Sequence, residues 1–144
     1  MGTVSLGEIV VTPLARIPTS DGDVLHAMKS VDSGYAGFGE AYFSCIAMGV
    51  VKGWKLHSRM TMNVVVPVGR VRFVFHLDGA GTFRVEEIGV DRYVRLTVPP
   101  GIWFGFQGLT EPQNMVLNIA SIPHDPNEVQ RRAIADIAYE WSSP

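Results

Sequence analysis

Between Gly49 and Gly69 the sequence reads GVVKGWKLHSRMTMNVVVPVG. This is the pattern of two β-strands joined by a short polar bend. The first is rich in β-branched residues and carries Lys55 and His57 towards its end. The second, Met62 to Val66, is nearly all apolar and runs into Pro67-Val68-Gly69, a turn signal. Side chains two apart on a strand share a face, so Lys55 and His57 point the same way. We read that direction as inward, into a barrel whose walls the rest of the chain supplies.

The flanking sequence supports a barrel. Residues 70 to 77 alternate cleanly: Arg70, Arg72, Val74 and His76 fall on one face, and Val71, Phe73, Phe75 and Leu77 on the other. Either face could be the lumen. Further strands are predicted over 40–48, 82–88, 93–98, 102–109 and 114–122, with shorter ones before residue 30. Glycine and proline turns such as Asp78-Gly79-Ala80-Gly81 and Pro99-Pro100-Gly101 separate them. Only residues 127–139 read as a helix, with Asn127 as N-cap, Glu128 in the first turn, and an apolar stripe of Val129, Ile134, Ile137 and Ala138. Many short strands followed by one short C-terminal helix predict an all-β antiparallel barrel or sandwich. No linker or internal repeat divides the chain, so residues 1-144 are read as a single domain.

Composition narrows the function classes. A net charge of −2 offers no basic face for nucleic acid or for an anionic membrane. The single cysteine, Cys45, lies in an apolar run, has no partner for a disulfide, and is expected to be buried and inert. The N-terminus lacks the pattern of a secretory signal, and no run approaches the roughly 18 apolar residues that span a bilayer as a helix. A soluble, cytoplasmic protein is the expectation.

The spacing at the centre resembles the cupin fold, a small jelly-roll barrel. Gly49, Lys55-Leu56-His57, Met62 and Gly69 match the frame of the first cupin motif without a gap. Pro99-Pro100-Gly101-Ile102-Trp103-Phe104 matches the second. In that frame the usual metal-ligand positions hold Lys55, His57, Met62 and Phe104. One imidazole does not hold a divalent ion, so no metal is predicted, and no other cofactor is called for.

A narrower resemblance covers residues 40 to 126. The segments Gly49-Val50-Val51-Lys52-Gly53, Pro67-Val68-Gly69, Val98-Pro99-Pro100-Gly101-Ile102-Trp103-Phe104-Gly105-Phe106 and Ile119-Ala120-Ser121-Ile122-Pro123-His124-Asp125-Pro126 are similar to the dTDP-4-dehydrorhamnose 3,5-epimerase family (RmlC-like cupins) and its relatives, the sugar 3,4-ketoisomerases. Lys55 stands where the epimerases have their basic histidine. Lys55-Leu56-His57 keeps the second histidine of the ketoisomerase His-x-His. The epimerase tyrosine acid has no counterpart near Ser121-Ile122-Pro123-His124. The carboxylate that orients the base comes from a C-terminal segment that this chain is expected to lack.

The resemblance implies a metal-independent epimerase or isomerase. Its substrate would be a nucleotide-linked, dTDP-type 4-keto-6-deoxy sugar, in a pathway building surface polysaccharide (lipopolysaccharide, for example) or a glycosylated product. Such a reaction removes a proton next to a ketone, and so needs a base, an acid and a stabiliser for the enolate oxygen. His57 is the expected base, since an imidazole titrates near neutrality. A protonated Lys55 is the expected enolate stabiliser, and His124 the expected acid. Lys52, Arg59, Arg70 and Arg72 are candidates for the diphosphate, with His76 beside them on the strand face of Arg72, and Gln107 and Asn118 for sugar hydroxyls. A homodimer with an exchanged strand or N-terminal segment is also implied. The rival reading is a non-catalytic sugar-binding or nucleotide-sugar-binding cupin that kept the frame and lost the acid and base.

Overall fold

The alternation along the middle of the chain becomes two facing five-stranded antiparallel sheets. The computed structural model describes residues 3–143. Its strands are β1 Val10–Pro13, β2 Arg16–Ile17, β3 Val24–Leu25, β4 Glu40–Ile46, β5 Val51–His57, β6 Met62–Val68, β7 Arg70–His76, β8 Arg84–Gly89, β9 Val94–Val98, β10 Trp103–Gly108, β11 Asn114–Ala120 and β12 Val129–Arg131. One sheet has the order β1-β9-β6-β11-β4 and the other β12-β5-β10-β7-β8, with β2 and β3 as a separate pair. From β4 onward the chain passes repeatedly from one sheet to the other, the connectivity of a jelly roll. The can is not closed. β4 and β5 lie in different sheets and are not paired, which leaves a lateral opening between them.

The core fills one part of the space between the sheets. Val71, Phe73 and Phe75 of β7 are buried against Val64 and Val66 of β6, Leu96 and Val98 of β9, and Ile88 of β8. Each such side chain contributes about 1.5–3 kcal/mol by leaving water. The inward face of β7 is therefore the apolar one. Arg72 and His76 lie on the outer face, where Val74 joins Trp54, Trp103 and Ile137 in a second cluster.

The C-terminal helix is not formed. Residues 129–131 are instead β12, paired antiparallel with β5 so that Val129 faces His57 and Arg131 faces Lys55. A 3-10 turn, Ile134–Asp136, follows. The reason lies in β5, whose outer edge would otherwise leave its N–H and C=O groups unpaired. Beyond β12, Trp54 and Arg132 continue the pairing through reciprocal backbone bonds of 3.0 and 3.3 Å. Ile137, Tyr139 and Trp141 then pack over Trp54 and Trp103. A ragged stripe with no strong helix nucleus gives way to that sheet edge and its apolar outer face. Cys45 also departs from expectation, being exposed. It sits on the edge strand β4, one residue from the buried Ile46 and so on the opposite face.

Candidate active site

β5 carries the site because its alternation is broken once. Against β10, Phe104 pairs with Lys55 but Phe106 pairs with Lys52, so β5 holds one extra residue in between. This bulge, at Gly53-Trp54, re-aims the strand. It brings Lys52 onto the face of Lys55 and His57 and leaves Trp54 on the outer face. All three line a cavity of about 390 Å³ between the sheets, within the size range of small-molecule sites. Opposite them stand Tyr42 and Ser44 of β4 and Asn118 of β11, and the floor is Met62, Val64, Phe73, Phe104, Phe106 and Val116. A second cavity of about 220 Å³ shares Tyr42, Lys55 and His57 and extends to Glu40, Met60, His124 and Arg131. We take it as the mouth of the first.

His57 is held by a buried carboxylate. Its Nδ1–H donates to Oε1 of Glu128 at 2.5 Å, and its ring stacks on Phe104 with centroids 5.9 Å apart. The other oxygen, Oε2 of Glu128, accepts the backbone N–H groups of Arg59 at 3.1 Å and Met60 at 3.2 Å. Glu128 is 3% exposed. Burial pushes its carboxyl up, but the hydrogen bonds from His57, Arg59 and Met60, with the charge of His57, outweigh burial and hold it below the usual carboxylate range. An ionised carboxylate only accepts, so Nδ1 carries the proton and Nε2 is the nitrogen left with a lone pair for the cavity.

Lys55 lies two residues before this imidazole on the same strand and lines the same cavity. Its ammonium is held below the usual lysine range by burial first, then by the neighbouring charges of Arg131 and Lys52. Among the described residues, no carboxylate lines the main cavity. Lys52 additionally anchors across the opening, donating to the Cys45 carbonyl on β4 at 2.8 Å.

Of the residues singled out from sequence, Lys52, Lys55, His57 and Asn118 come together around the cavity, and His124 lies at its mouth. Arg59 is exposed at the rim, paired to Asp125 at 2.6 Å. Arg72, Gln107 and His76 lie outside the cavity. Arg72 donates to Glu87 and to Gln107, both at 2.8 Å, and His76 stacks on Phe83. Their face of the sheet is the outer one because β7 turns its phenylalanines inward.

Two residues escaped the sequence reading. Glu128 falls in the segment read as a helix, yet it brings a C-terminal carboxylate onto His57, where the chain is expected to lack one. Tyr42 stands in β4 with no motif around it. Its only signal is that Tyr42, Ser44 and Ile46 share a face, and Ile46 is core. The Tyr42 hydroxyl accepts a hydrogen bond from Nδ2 of Asn118 at 3.1 Å. Among the described residues, no three of His, Cys, Asp and Glu converge as metal ligands.

No protein-family model and no curated protein matches the chain. Solved structures do. A dTDP sugar isomerase from Desulfovibrio desulfuricans G20 is 31% identical, with 93% of this chain and 90% of that one covered and a TM-score of 0.87. A sugar 3,4-ketoisomerase from Thermoanaerobacterium thermosaccharolyticum, in complex with TDP, is 16% identical over 89% of this chain and 90% of that one, TM-score 0.77. A dTDP-4-dehydrorhamnose 3,5-epimerase from Sulfolobus tokodaii is 21% identical over 96% of this chain and 84% of that one, TM-score 0.78. The last two share the jelly-roll fold; the first, similar in sequence along nearly its whole length, shows that this chain belongs to the RmlC-like family of dTDP-sugar isomerases and epimerases.

Proposed function

We propose that the protein is a metal-independent epimerase or isomerase acting on a dTDP-linked 4-keto-6-deoxy sugar. The observation that carries this reading is the His57–Glu128 pair opening into a cavity beside Lys55. Nε2 of His57 takes the proton from the carbon next to the ketone, and the enolate oxygen develops against the Lys55 ammonium. Tyr42, on the facing strand, is the hydroxyl acid that returns a proton from the other side of the sugar. Tyr42 lines both cavities, whereas His124 lines only the outer one. Lys52, Lys55 and Arg131 make that side of the opening cationic, which suits a diphosphate. The apolar floor suits the deoxygenated end of the hexose. The related structures with TDP or a TDP-sugar bound support this ligand class.

The test is incubation with dTDP-4-keto-6-deoxyglucose, followed by proton NMR of the sugar. Appearance of an isomeric sugar, unaffected by EDTA, is the expected result. Saturable dTDP binding with the sugar recovered unchanged would leave a binding protein, and no binding at all would end the proposal.

The role of Lys55 predicts a pH dependence. Its stabilising form is the protonated one, so kcat falls as pH rises through a value below that of an ordinary lysine. Arg131 lies directly across the strand pair from Lys55 and helps hold that value down. Arg131→Gln therefore moves the alkaline limb of the kcat profile to higher pH. A limb that stays in place would show that Lys55 is not the titrating group.

The family resemblance also suggests a homodimer. β4 is an edge strand, and Tyr35, Phe38, Tyr42 and Phe43 leave 36–63% of their surface exposed on and beside it. Such an edge is normally covered. Light scattering after size exclusion should give twice the 15.8 kDa chain mass, and Phe43→Lys, a change on the face of β4 turned away from the cavity, should give monomers.

A further inference from the structure

The catalytic reading leaves without a use a buried polar group of the cavity wall. Asn118, on β11, is 4% exposed. Its Nδ2 donates to the Tyr42 hydroxyl at 3.1 Å and lies 3.9 Å from Sδ of Met60. Its Oδ1 is enclosed and has no hydrogen-bond partner. An unpaired buried carbonyl is destabilising, so a leucine of similar shape is expected to be at least as stable here. Asn118 lines the cavity, but its Oδ1 is itself buried and not presented on the cavity surface for a sugar hydroxyl.

We infer that Asn118 is a positioning residue that acts through Tyr42, an inference that rests on the proton-donor role given above to that phenol. The amide N–H occupies an acceptor site of the phenolic oxygen. A hydroxyl is a rotor, and with one side taken by a donor its own O–H turns away from Asn118. The same N–H stabilises the oxyanion left behind when the proton is given up. The amide must present its nitrogen for this, and its oxygen then goes unpaired; the stability lost at Oδ1 is the cost of aiming the phenol.

Stability and activity therefore move in opposite directions on substitution. Asn118→Leu should leave the melting temperature unchanged or raised. It should lower kcat by about tenfold or more, a fraction of the 10²–10⁴ typical of a proton donor, with KM within about threefold of the parent. The deciding experiment is a double-mutant cycle on kcat. In a Tyr42→Phe background the further change Asn118→Leu should cost less than about twofold, because the group it positions is already gone. Asn118→Val, which also removes the donor and adds no charge, should behave the same way and serves if the leucine variant does not fold. Equal losses in both backgrounds, or a loss carried by KM, would overturn the inference and make Asn118 a substrate contact or a structural residue. Parent-like turnover by Tyr42→Phe alone would overturn the assignment of Tyr42 itself, and this inference with it. That outcome is separate from the first, since the cycle then has no phenol effect to interrupt.

Discussion

His57→Ala is expected to slow proton exchange next to the ketone by at least about a hundredfold, equivalent to about 2.7 kcal/mol of barrier. The size follows from the site. His57 is the imidazole of the main cavity, and in the proposed mechanism Lys55 is given the enolate oxygen rather than the proton. The variant has a second effect. Glu128 would keep its two backbone donors but lose the ring that satisfies its other oxygen. Leaving a buried acceptor unpaired costs about 1–3 kcal/mol, which for a chain of this size lowers the melting temperature by a few degrees. His57→Gln separates the two effects. Its amide can still donate to Glu128, so stability stays nearer the parent while exchange remains lost. Exchange at the parent rate in both variants would remove His57 from the mechanism.

Glu128→Gln should be nearly as damaging to exchange, by about a hundredfold, although the change is isosteric. The two backbone N–H groups of Arg59 and Met60 require an acceptor, so the amide turns its oxygen to them. Its nitrogen then faces Nδ1 of His57, which must accept. The ring proton moves to Nε2, and the lone pair that takes the substrate proton is gone. This is the logic by which a buried carboxylate fixes the tautomer of a catalytic histidine. The loss should fall on kcat while dTDP binding is kept. Unchanged kcat in this variant would show that Glu128 holds the strand in place and does nothing more. Glu128 should also shape acid stability. Its carboxyl is held below the usual range in the folded protein, so its contribution is present above that range and is lost as pH falls through the folded value. Glu128→Gln should flatten that acid limb.

The legible part of the chain was the part governed by a period of two. The inward aim of Lys55 and His57 follows from β5 alternation, and the phenylalanine face of β7 could be identified as a face before its direction was known. What escaped depended on contacts far apart in sequence. Arg72 and His76 could not be assigned inside or outside until the packing of Phe73 and Phe75 fixed the answer. Lys52 joins the site only through the bulge at Gly53-Trp54, which no single-strand pattern reveals. Glu128 was hidden for the strongest reason. An asparagine followed by an acidic residue is a fair helix start, and only the open edge of β5, more than 70 residues upstream, makes the segment a strand instead. The carboxylate that holds His57 thus comes from a segment whose local signals pointed elsewhere.

Solvent wash-in is the direct measurement. The parent protein, treated with EDTA and incubated in deuterium oxide with a dTDP-linked 4-keto-6-deoxyhexose, should place deuterium on a carbon adjoining the ketone, detected by mass spectrometry, and His57→Ala should not. A parent that binds the sugar nucleotide yet returns it without label, or a His57→Ala variant that labels it equally well, would contradict the account.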